Sequence, residues 1–314
     1  MDDDLGCNKA PDGAHGRTEK QGAGHVTVLL QEAIDFLGVR RGGTYIDATL
    51  GLGGHSLEIA RRLGPQGHLI GFDKDPQALQ LARKRLQEAG PESPVLTLFQ
   101  GSYAEIGKHV RPASADGLLA DLGLSSMQLN DPERGFSFQA AGPLDMRMDP
   151  RSERTADQVV NRMREEDLAN VIYEFGEERR SRRTARAIVR ARPIRTTAHL
   201  AQVISAALRP MNKAEARIHP ATKTFQAIRI FVNRELDDLK ALLETAPQVL
   251  KPGGRLVVIS FHSLEDRLVK DALRDGAKAG VYQVLTKKPE GAGEEEIGRN
   301  PRSRSAKMRA AERT

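Results

Sequence analysis

A glycine-rich segment followed by a distant aspartate is the most chemically informative pattern in this sequence. Gly51, Gly53 and Gly54 lie between a short apolar run and a helical pattern that starts at Ser56. A strand, a glycine-rich turn and a helix direct backbone N–H groups at an anionic ligand and let the main chain approach it closely. Asp73 follows the turn by about 20 residues, the spacing at which a carboxylate can accept hydrogen bonds from ribose hydroxyls.

Two further polar residues follow later apolar runs. Asp121 comes directly after a predicted buried strand, and Tyr103 comes four residues after another, and ligands bind outside the carboxyl ends of strands in open parallel sheets. Tyr103 can cover an adenine ring and Asp121 can accept from an amino group. Two roles stay open nearby: His55 either caps a helix or contacts the ligand, and Asp47 is either a charge partner or a structural acceptor for turn amides.

The residues around the turn narrow the choice of ligand. A triphosphate site of the type G-x-x-x-x-G-K-[ST] needs a lysine that Gly54-His55-Ser56 lacks. The dinucleotide pattern G-x-G-x-x-G/A fails at Ser56, which disfavours a nicotinamide oxidoreductase. A ligand whose anion is a carboxylate fits better. S-adenosylmethionine is such a ligand, and its positive sulfur would benefit from a nearby acid such as Asp47 or Asp121.

The elements that must position these residues alternate along the chain. Apolar strand patterns recur near residues 45–46, 68–72, 95–99 and 118–120, separated by helical patterns, which predicts a parallel sheet in an α/β domain. From Met127 the pattern changes to loops and then helices, and a β-branched strand returns at 255–260. The predicted organisation is a disordered tail (1–24), a first α/β part (25–130), a helical insertion (131–220), and a second α/β part with a basic C-terminal segment (221–314).

Composition limits the class of protein. The chain has 314 residues, 39% of them hydrophobic, and a formal net charge of +6, which favours an anionic partner such as nucleic acid. The single cysteine, Cys7, allows no intrachain disulfide, and no apolar run reaches membrane-spanning length, so a cytoplasmic protein is predicted. His219, His262 and Ser263 show neither catalytic-triad nor metal-ligand spacing, so we expect no metal site.

A set of longer motifs makes the interpretation specific. The chain resembles the class I S-adenosylmethionine-dependent methyltransferases, and more narrowly the bacterial family that methylates the exocyclic N4 of a cytidine in 16S ribosomal RNA. The matching segments, in family order, are His25–Leu30, Gly53–Ser56, Asp73–Pro76, Asp121–Ser126, Arg134–Phe138, Pro143–Asp149, Tyr173–Glu178, His219–Ala227, Ile259–Arg267 and Asn300–Ser303. They extend from His25 to the C terminus.

This resemblance implies a fold and a cofactor site. The fold is a Rossmann-like class I methyltransferase sheet with an inserted all-helical domain for substrate recognition. The cofactor is S-adenosyl-L-methionine, and the residues implied to bind it are Gly53, Gly54, His55, Asp73, Tyr103, Asp121 and Gln128. Two positions depart from the family pattern, since the family often has proline at Met127 and phenylalanine at Tyr103.

The resemblance also implies direct attack of the cytosine N4 on the sulfonium methyl group. That nitrogen is a poor nucleophile because its lone pair is delocalised into the ring, so Asp121 is the candidate catalytic proton acceptor. The candidate substrate-binding residues are two aromatic rings that would stack on the base and four arginines that would contact phosphates: Phe136, Phe138, Arg134, Arg179, Arg183 and Arg186. A strongly basic helix is predicted over 179–192. The alternative for its arginines is a solvated face that pairs with Glu174, Glu177 and Glu178.

The implied partner is 16S rRNA, within a small ribosomal subunit or its precursor, near the decoding centre. Two competing functions stay open: a non-catalytic RNA-binding assembly factor, and an amino-methyltransferase acting on another nucleic acid. A D-P-P-Y-type motif, which many amino-methyltransferases of DNA carry, is missing after the strand that ends at Asp121. The oligomeric state is not predicted.

Overall fold

The computed structural model describes residues 27–88, 90, 92–208 and 219–314, so the predicted tail at 1–24 lies outside the described residues. The strands are β1 (Thr44–Asp47), β2 (His68–Asp73), β3 (Val95–Gln100), β4 (Ala115–Asp121), β5 (Leu250–Ser260), β6 (Tyr282–Val284) and β7 (Lys307–Arg313). The helices are α1 (Leu30–Leu37), α2 (Gly54–Leu63), α3 (Pro76–Gln87), α4 (Ile106–His109), α5 (Ser126–Asn130), α6 (Ala156–Arg162), α7 (Glu165–Gly176), α8 (Ser181–Arg190), α9 (Thr197–Ala207), α10 (Thr222–Asn233), α11 (Glu235–Val249), α12 (Ser263–Lys278) and α13 (Glu294–Arg299). None of the described helices is both long and apolar enough to span a bilayer.

In the described part of the chain, seven strands form one sheet in the order β3-β2-β1-β4-β5-β7-β6. The first five run parallel, and β7 is antiparallel to both of its neighbours. Asp47 and Asp121 end adjacent strands: Asp47 is in register with Leu119, and Asp121 with Ile259. The parallel pairing therefore brings the polar residues at the strand ends to one edge of the sheet.

Helices cover both faces of this sheet, which explains why its strands are apolar on both sides. On one face, α11 and α12 bury Leu242 and Leu273 against the strands. On the other face, α1 and α2 bury Ile34 and Ile59. The predicted Rossmann-like α/β fold is confirmed.

A third hydrophobic cluster is formed by helices that lie between β4 and β5 in the chain. No strand interrupts them in the described residues, as the sequence predicted. The predicted boundary at residue 220 divides this cluster, because Phe225, Ile228 and Val232 of α10 pack in it. We therefore propose that the helical unit extends to Asn233, the last residue of α10.

One prediction for the second part of the chain was wrong. The apolar spacing at 225–243 predicts a single long helix, but the structure has two, because Arg234 adopts a left-handed conformation with φ of 56° and separates α10 from α11. The basic C-terminal segment contains β7, whose Met308 and Ala310 are fully buried in the sheet. Basic residues therefore alternate with buried ones in a strand that belongs to the core of the sheet.

Candidate cofactor and active site

A cavity of about 1190 Å³, counted to its open mouth, lies at the carboxyl ends of β1, β2 and β4. Six of the seven predicted cofactor-binding residues line it: Gly54, His55, Asp73, Tyr103, Asp121 and Gln128. They come from separate elements and meet because parallel strands end at one edge. The seventh, Gly53, is not among the lining residues, and its predicted cofactor contact stays a prediction.

Two positions of the glycine turn require glycine, each for a different physical reason. Gly53 is the N-cap of α2 with φ of 75°, a conformation that side chains rarely tolerate. Its Cα also packs against α3, where an added Cβ would lie 3.3 Å from Ala82. At Gly54 an added Cβ would meet the Thr27 hydroxyl at 2.0 Å, so no side chain fits there. The turn thus presents bare backbone at the start of a helix, where an anion is favoured.

Asp73 combines a structural role with free acceptor capacity. One carboxylate oxygen accepts from Gly51 N at 2.7 Å, and the other accepts from Asp75 N at 2.8 Å. Each oxygen keeps a lone pair that ribose hydroxyls can use. Burial raises the pKa of Asp73 to about 6, although both backbone hydrogen bonds oppose this.

This pKa predicts a pH dependence for cofactor binding. Hydroxyl donors favour the ionised carboxylate, so the affinity for S-adenosylmethionine should rise as pH increases through about 6, with proton release on binding. Isothermal titration between pH 5 and 7.5 in buffers of different ionisation enthalpy measures both effects. Asp73→Asn should bind more weakly and lose most of the slope. An unchanged slope in this variant would assign the dependence to another group.

Asp47 lies behind the turn and acts as an acceptor for its surroundings. The Ser56 hydroxyl donates to one oxygen at 2.6 Å, and Thr49 N donates to the other at 3.1 Å. The carboxyl group is 2% exposed, and burial raises its pKa to about 6. Of the two roles left open by the sequence, these contacts favour the structural acceptor.

Asp121 lines the cavity and has one carboxylate oxygen without a partner among the described residues. Its Oδ1 is buried and has no hydrogen-bond partner among the described residues, while its Oδ2 lies 3.6 Å from His55 Nδ1. Burial raises its pKa well above the usual range, and the charges of Asp47, Glu265 and Glu296 add to this effect. Leaving a buried acceptor without a partner costs free energy. The cavity therefore fits a ligand that donates a hydrogen bond or carries positive charge here.

A buried ionic cluster forms the far wall and was not predicted from the sequence. Glu235 and Glu265 line the cavity beside Tyr103, and Arg229 donates two hydrogen bonds to Glu235, at 2.9 and 2.7 Å. Burial and the neighbouring acids raise the pKa of Tyr103 well above its ordinary value, so it stays a neutral phenol. Glu265 follows the end of β5 and the strand-end rule could have found it. Glu235 follows an unpredicted helix break and has no such signal.

This cluster does not suit a metal ion, although ligand atoms of Glu235, His262 and Glu265 lie within 4.8 Å of one another. The Nδ1 atom of His262 accepts from Glu265 N at 3.3 Å, so the proton resides on Nε2. Nε2 lies 3.2 Å from a Glu265 oxygen and has no lone pair for a metal. The arrangement is an ion-pair cluster that anchors α12.

Gln128 and Arg134 meet at a fully buried carboxylate, Asp75. Gln128 Nε2 donates to Asp75 at 3.1 Å, and its Oε1 accepts from Ser125 N at 3.2 Å in a helix capping box. Arg134 Nη1 donates to the same Asp75 oxygen at 2.6 Å. The other end of this guanidinium donates to the carbonyl of Met148 at 3.1 Å. Arg134 is therefore engaged within the protein, unlike the free phosphate contact that was predicted.

The two predicted base-stacking rings lie elsewhere. Phe136 is 7% exposed in the core of the helical unit, and Phe138 stacks on His219 with ring centres 4.5 Å apart. Neither lines the cavity. Besides Tyr103, the cavity is lined by the ring of Phe261, which packs over Gly123 and follows the last residue of β5. The strand-end rule could have identified it.

The predicted arginine surface is exposed and largely unneutralised. Arg179 and Arg183 have no ion-pair partner among the residues that the structure describes, whereas Arg186 lies 3.4 Å from Glu165. Glu177, expected to pair with this helix in the solvated-face alternative, instead pairs with Arg267 at 2.9 Å. The contacts thus leave positive charge available on α8.

A Rossmann-like sheet with an antiparallel β7 and an adenosine-compatible cavity at its parallel strand ends defines a class I S-adenosylmethionine-dependent methyltransferase. The chain belongs to the MraW methylase family, whose model matches residues 22–314. It is 68% identical over 310 residues to the ribosomal RNA small subunit methyltransferase H of Koribacter versatilis, covering 98% of each chain. It is 64% identical over 293 residues to the protein of that name from Acidobacterium capsulatum, covering 92% of this chain and 98% of the relative. The predicted family is confirmed.

Proposed function

We propose that this enzyme transfers a methyl group from S-adenosylmethionine to the exocyclic N4 of a cytidine in 16S ribosomal RNA, near the decoding centre. The observation that carries this proposal is Asp121, a carboxylate in the wall of the cofactor cavity whose side chain keeps an oxygen without a partner among the described residues. An amino group is a donor from which such a carboxylate can accept. The names of the relatives support ribosomal RNA of the small subunit as the substrate.

The residues of the cavity would have two kinds of role, binding of the cofactor and removal of a proton from the target amino group. The bare backbone at Gly54 would hold the methionine carboxylate of the cofactor, and Asp73 would accept from its ribose. Asp121 would hold the target amino group in line with the methyl group and take its proton as charge develops. Phe261 stands at the same cavity with an aromatic face that a base extruded from RNA can stack on.

The reaction would take place in the cytoplasm, on a small ribosomal subunit or its precursor. The helical unit would bind the RNA that surrounds the target cytidine. Exposed arginines on and beside α8 supply the positive charge that phosphate binding needs. Arg179, Arg183 and Arg186 lie within a single short stretch of chain, so one nucleic-acid backbone can contact them together.

Salt dependence tests this surface. Replacing Arg179 and Arg183 with glutamine should reduce the slope of log Kd against log salt by about 0.7 to 0.9 per lost phosphate contact. Fluorescence anisotropy with a 16S rRNA fragment, from low to moderate salt, measures it. Arg274→Gln is the matched control, because Arg274 is exposed but pairs with Asp271 at 2.8 Å. A slope equal to that of the unmodified protein would return α8 to the solvated-face interpretation.

Mapping methylated cytidines tests the reaction itself. Mass spectrometry of 16S rRNA from cells that lack this gene should reveal one missing N4-methylcytidine, restored by the wild-type gene and not by Asp121→Asn. Restoration by the variant would show that the reaction does not need the carboxylate of Asp121. A complete methylation pattern without the gene would disprove the proposed substrate.

A further inference from the structure

His55 is buried, with one ring nitrogen in hydrogen-bond distance of a backbone carbonyl and the other in ion-pair distance of a carboxylate. Its Nε2 lies 3.0 Å from the carbonyl oxygen of Val28, and its Nδ1 lies 3.6 Å from Asp121 Oδ2. A carbonyl oxygen only accepts, so Nε2 must carry a proton. An ionised carboxylate also only accepts, so Nδ1 is best satisfied when it carries a proton as well. The imidazolium and an ionised Asp121 therefore favour each other, and the contact is an ion pair when both are charged.

We infer that His55 is a positioning residue, held as an imidazolium, whose charge keeps Asp121 ionised and able to accept the proton of the target amino group. This inference rests on the proposed function for its role in catalysis, but the charge state itself does not. His55 need not touch the substrate, because it acts through its contact with Asp121. This role explains why position 55 has a histidine, which can carry a positive charge, and not a neutral helix-forming residue.

The need for such a cation follows from what faces Asp121. Burial disfavours its ionised form, and acids approach it from three elements: Asp47 from β1, Glu265 from α12 and Glu296 from α13. Glu265 is compensated by Arg229, and Glu296 accepts from Leu29 N at 2.9 Å. Among the described residues, the cationic group in ion-pair reach of Asp121 is His55. A nearby positive charge lowers the pKa of a carboxyl group and opposes its desolvation.

The methyl transfer exchanges one bond to carbon and releases one proton. The N4 lone pair forms a bond to the methyl carbon, and the bond from that carbon to sulfur breaks with its electrons left on sulfur. One N4 proton moves to a carboxylate oxygen of Asp121, which accepts it with a lone pair. The adjacent imidazolium weakens the new O–H bond, so Asp121 returns the proton to water once the product leaves.

Nitrogen-15 NMR of the imidazole rings reads the charge state without any turnover. At pH 7, the wild-type protein should show one buried histidine with both nitrogens protonated, and His55→Gln should remove that signal. Asp121→Asn should convert it to a neutral ring that is protonated only at Nε2. His68→Gln is the control, since His68 contacts Thr97 in the sheet and its loss should leave the signal in place. A neutral His55 ring in the wild-type protein would overturn the inference.

The pH profile of turnover tests the catalytic consequence. His55→Gln keeps a donor for Val28 but removes the charge, so Asp121 should retain a proton to higher pH. The acid limb of kcat should move upward by roughly one pH unit or more, with activity partly restored in alkaline buffer. An equal loss at every pH would overturn the role. If the wild-type enzyme methylates no ribosomal RNA at any pH, the proposed function fails, and the NMR result still decides the charge state.

Discussion

Replacing Asp121 with asparagine is expected to lower the turnover of cytidine methylation by about 10² to 10⁴-fold, the range associated with general acid–base catalysis. The amide keeps the shape of the side chain and can still contact the target amino group through its oxygen. It cannot take a proton at neutral pH. Affinity for S-adenosylmethionine should change far less, because the glycine turn and Asp73 form separate parts of the cavity wall.

Two measurements separate these effects. Single-turnover kinetics on a small-subunit precursor give the rate of methyl transfer, and isothermal titration gives the affinity for the cofactor. Asp116→Asn is a matched control at the opposite end of the same strand, where Asp116 pairs with Lys251 at 2.7 Å. It should leave turnover within about twofold, since it acts far from the chemistry. Comparable losses of turnover and cofactor affinity in Asp121→Asn would make Asp121 a cofactor ligand only.

The sequence predicted the cofactor side of the cavity because that side obeys a local rule. Apolar runs identify buried parallel strands, and the residues that follow them gather at one edge of the sheet. This rule predicts the positions of Asp73, Tyr103 and Asp121 from the sequence alone. The same rule applied to the last parallel strand would have found Phe261 and Glu265.

The substrate side could not be predicted in this way, because its contacts are set by tertiary packing. Phe136 and Arg134 occur in a loop-like stretch whose composition suits either exposed RNA contacts or a buried core. Only the fold shows that Phe136 packs in the helical unit and that Arg134 reaches Asp75. The strand β7 was missed because arginines and lysines alternate with its small buried residues. Its pairing with β5 overrides the weak strand preference of that segment.

The buried ion pair between Asp75 and Arg134 joins the α/β sheet part of the protein to the loop before the helical unit. Its loss gives the second large expected effect. Asp75→Ala should lower the free energy of unfolding by about 3 to 5 kcal/mol, because it breaks a buried ion pair and leaves one charge uncompensated. Asp75 is 0% exposed, and its carboxylate accepts from Gln77 N in α3, from Gln128 and from Arg134. Arg134 would then remain largely buried with backbone carbonyls as its acceptors.

Urea unfolding followed by circular dichroism measures this loss, and a double variant identifies its cause. If the buried charge of Arg134 is responsible, adding Arg134→Met to Asp75→Ala should recover part of the stability, since an apolar side chain needs no partner there. Asp167→Ala is the control, because it breaks the exposed pair with Arg164 and should cost at most about 1 kcal/mol. Further destabilisation in the double variant would contradict this explanation and leave the helix cap on α3 as the main contribution of Asp75. Recovery would instead show that Asp75, two residues after β2, holds the loop that leads into the helical unit.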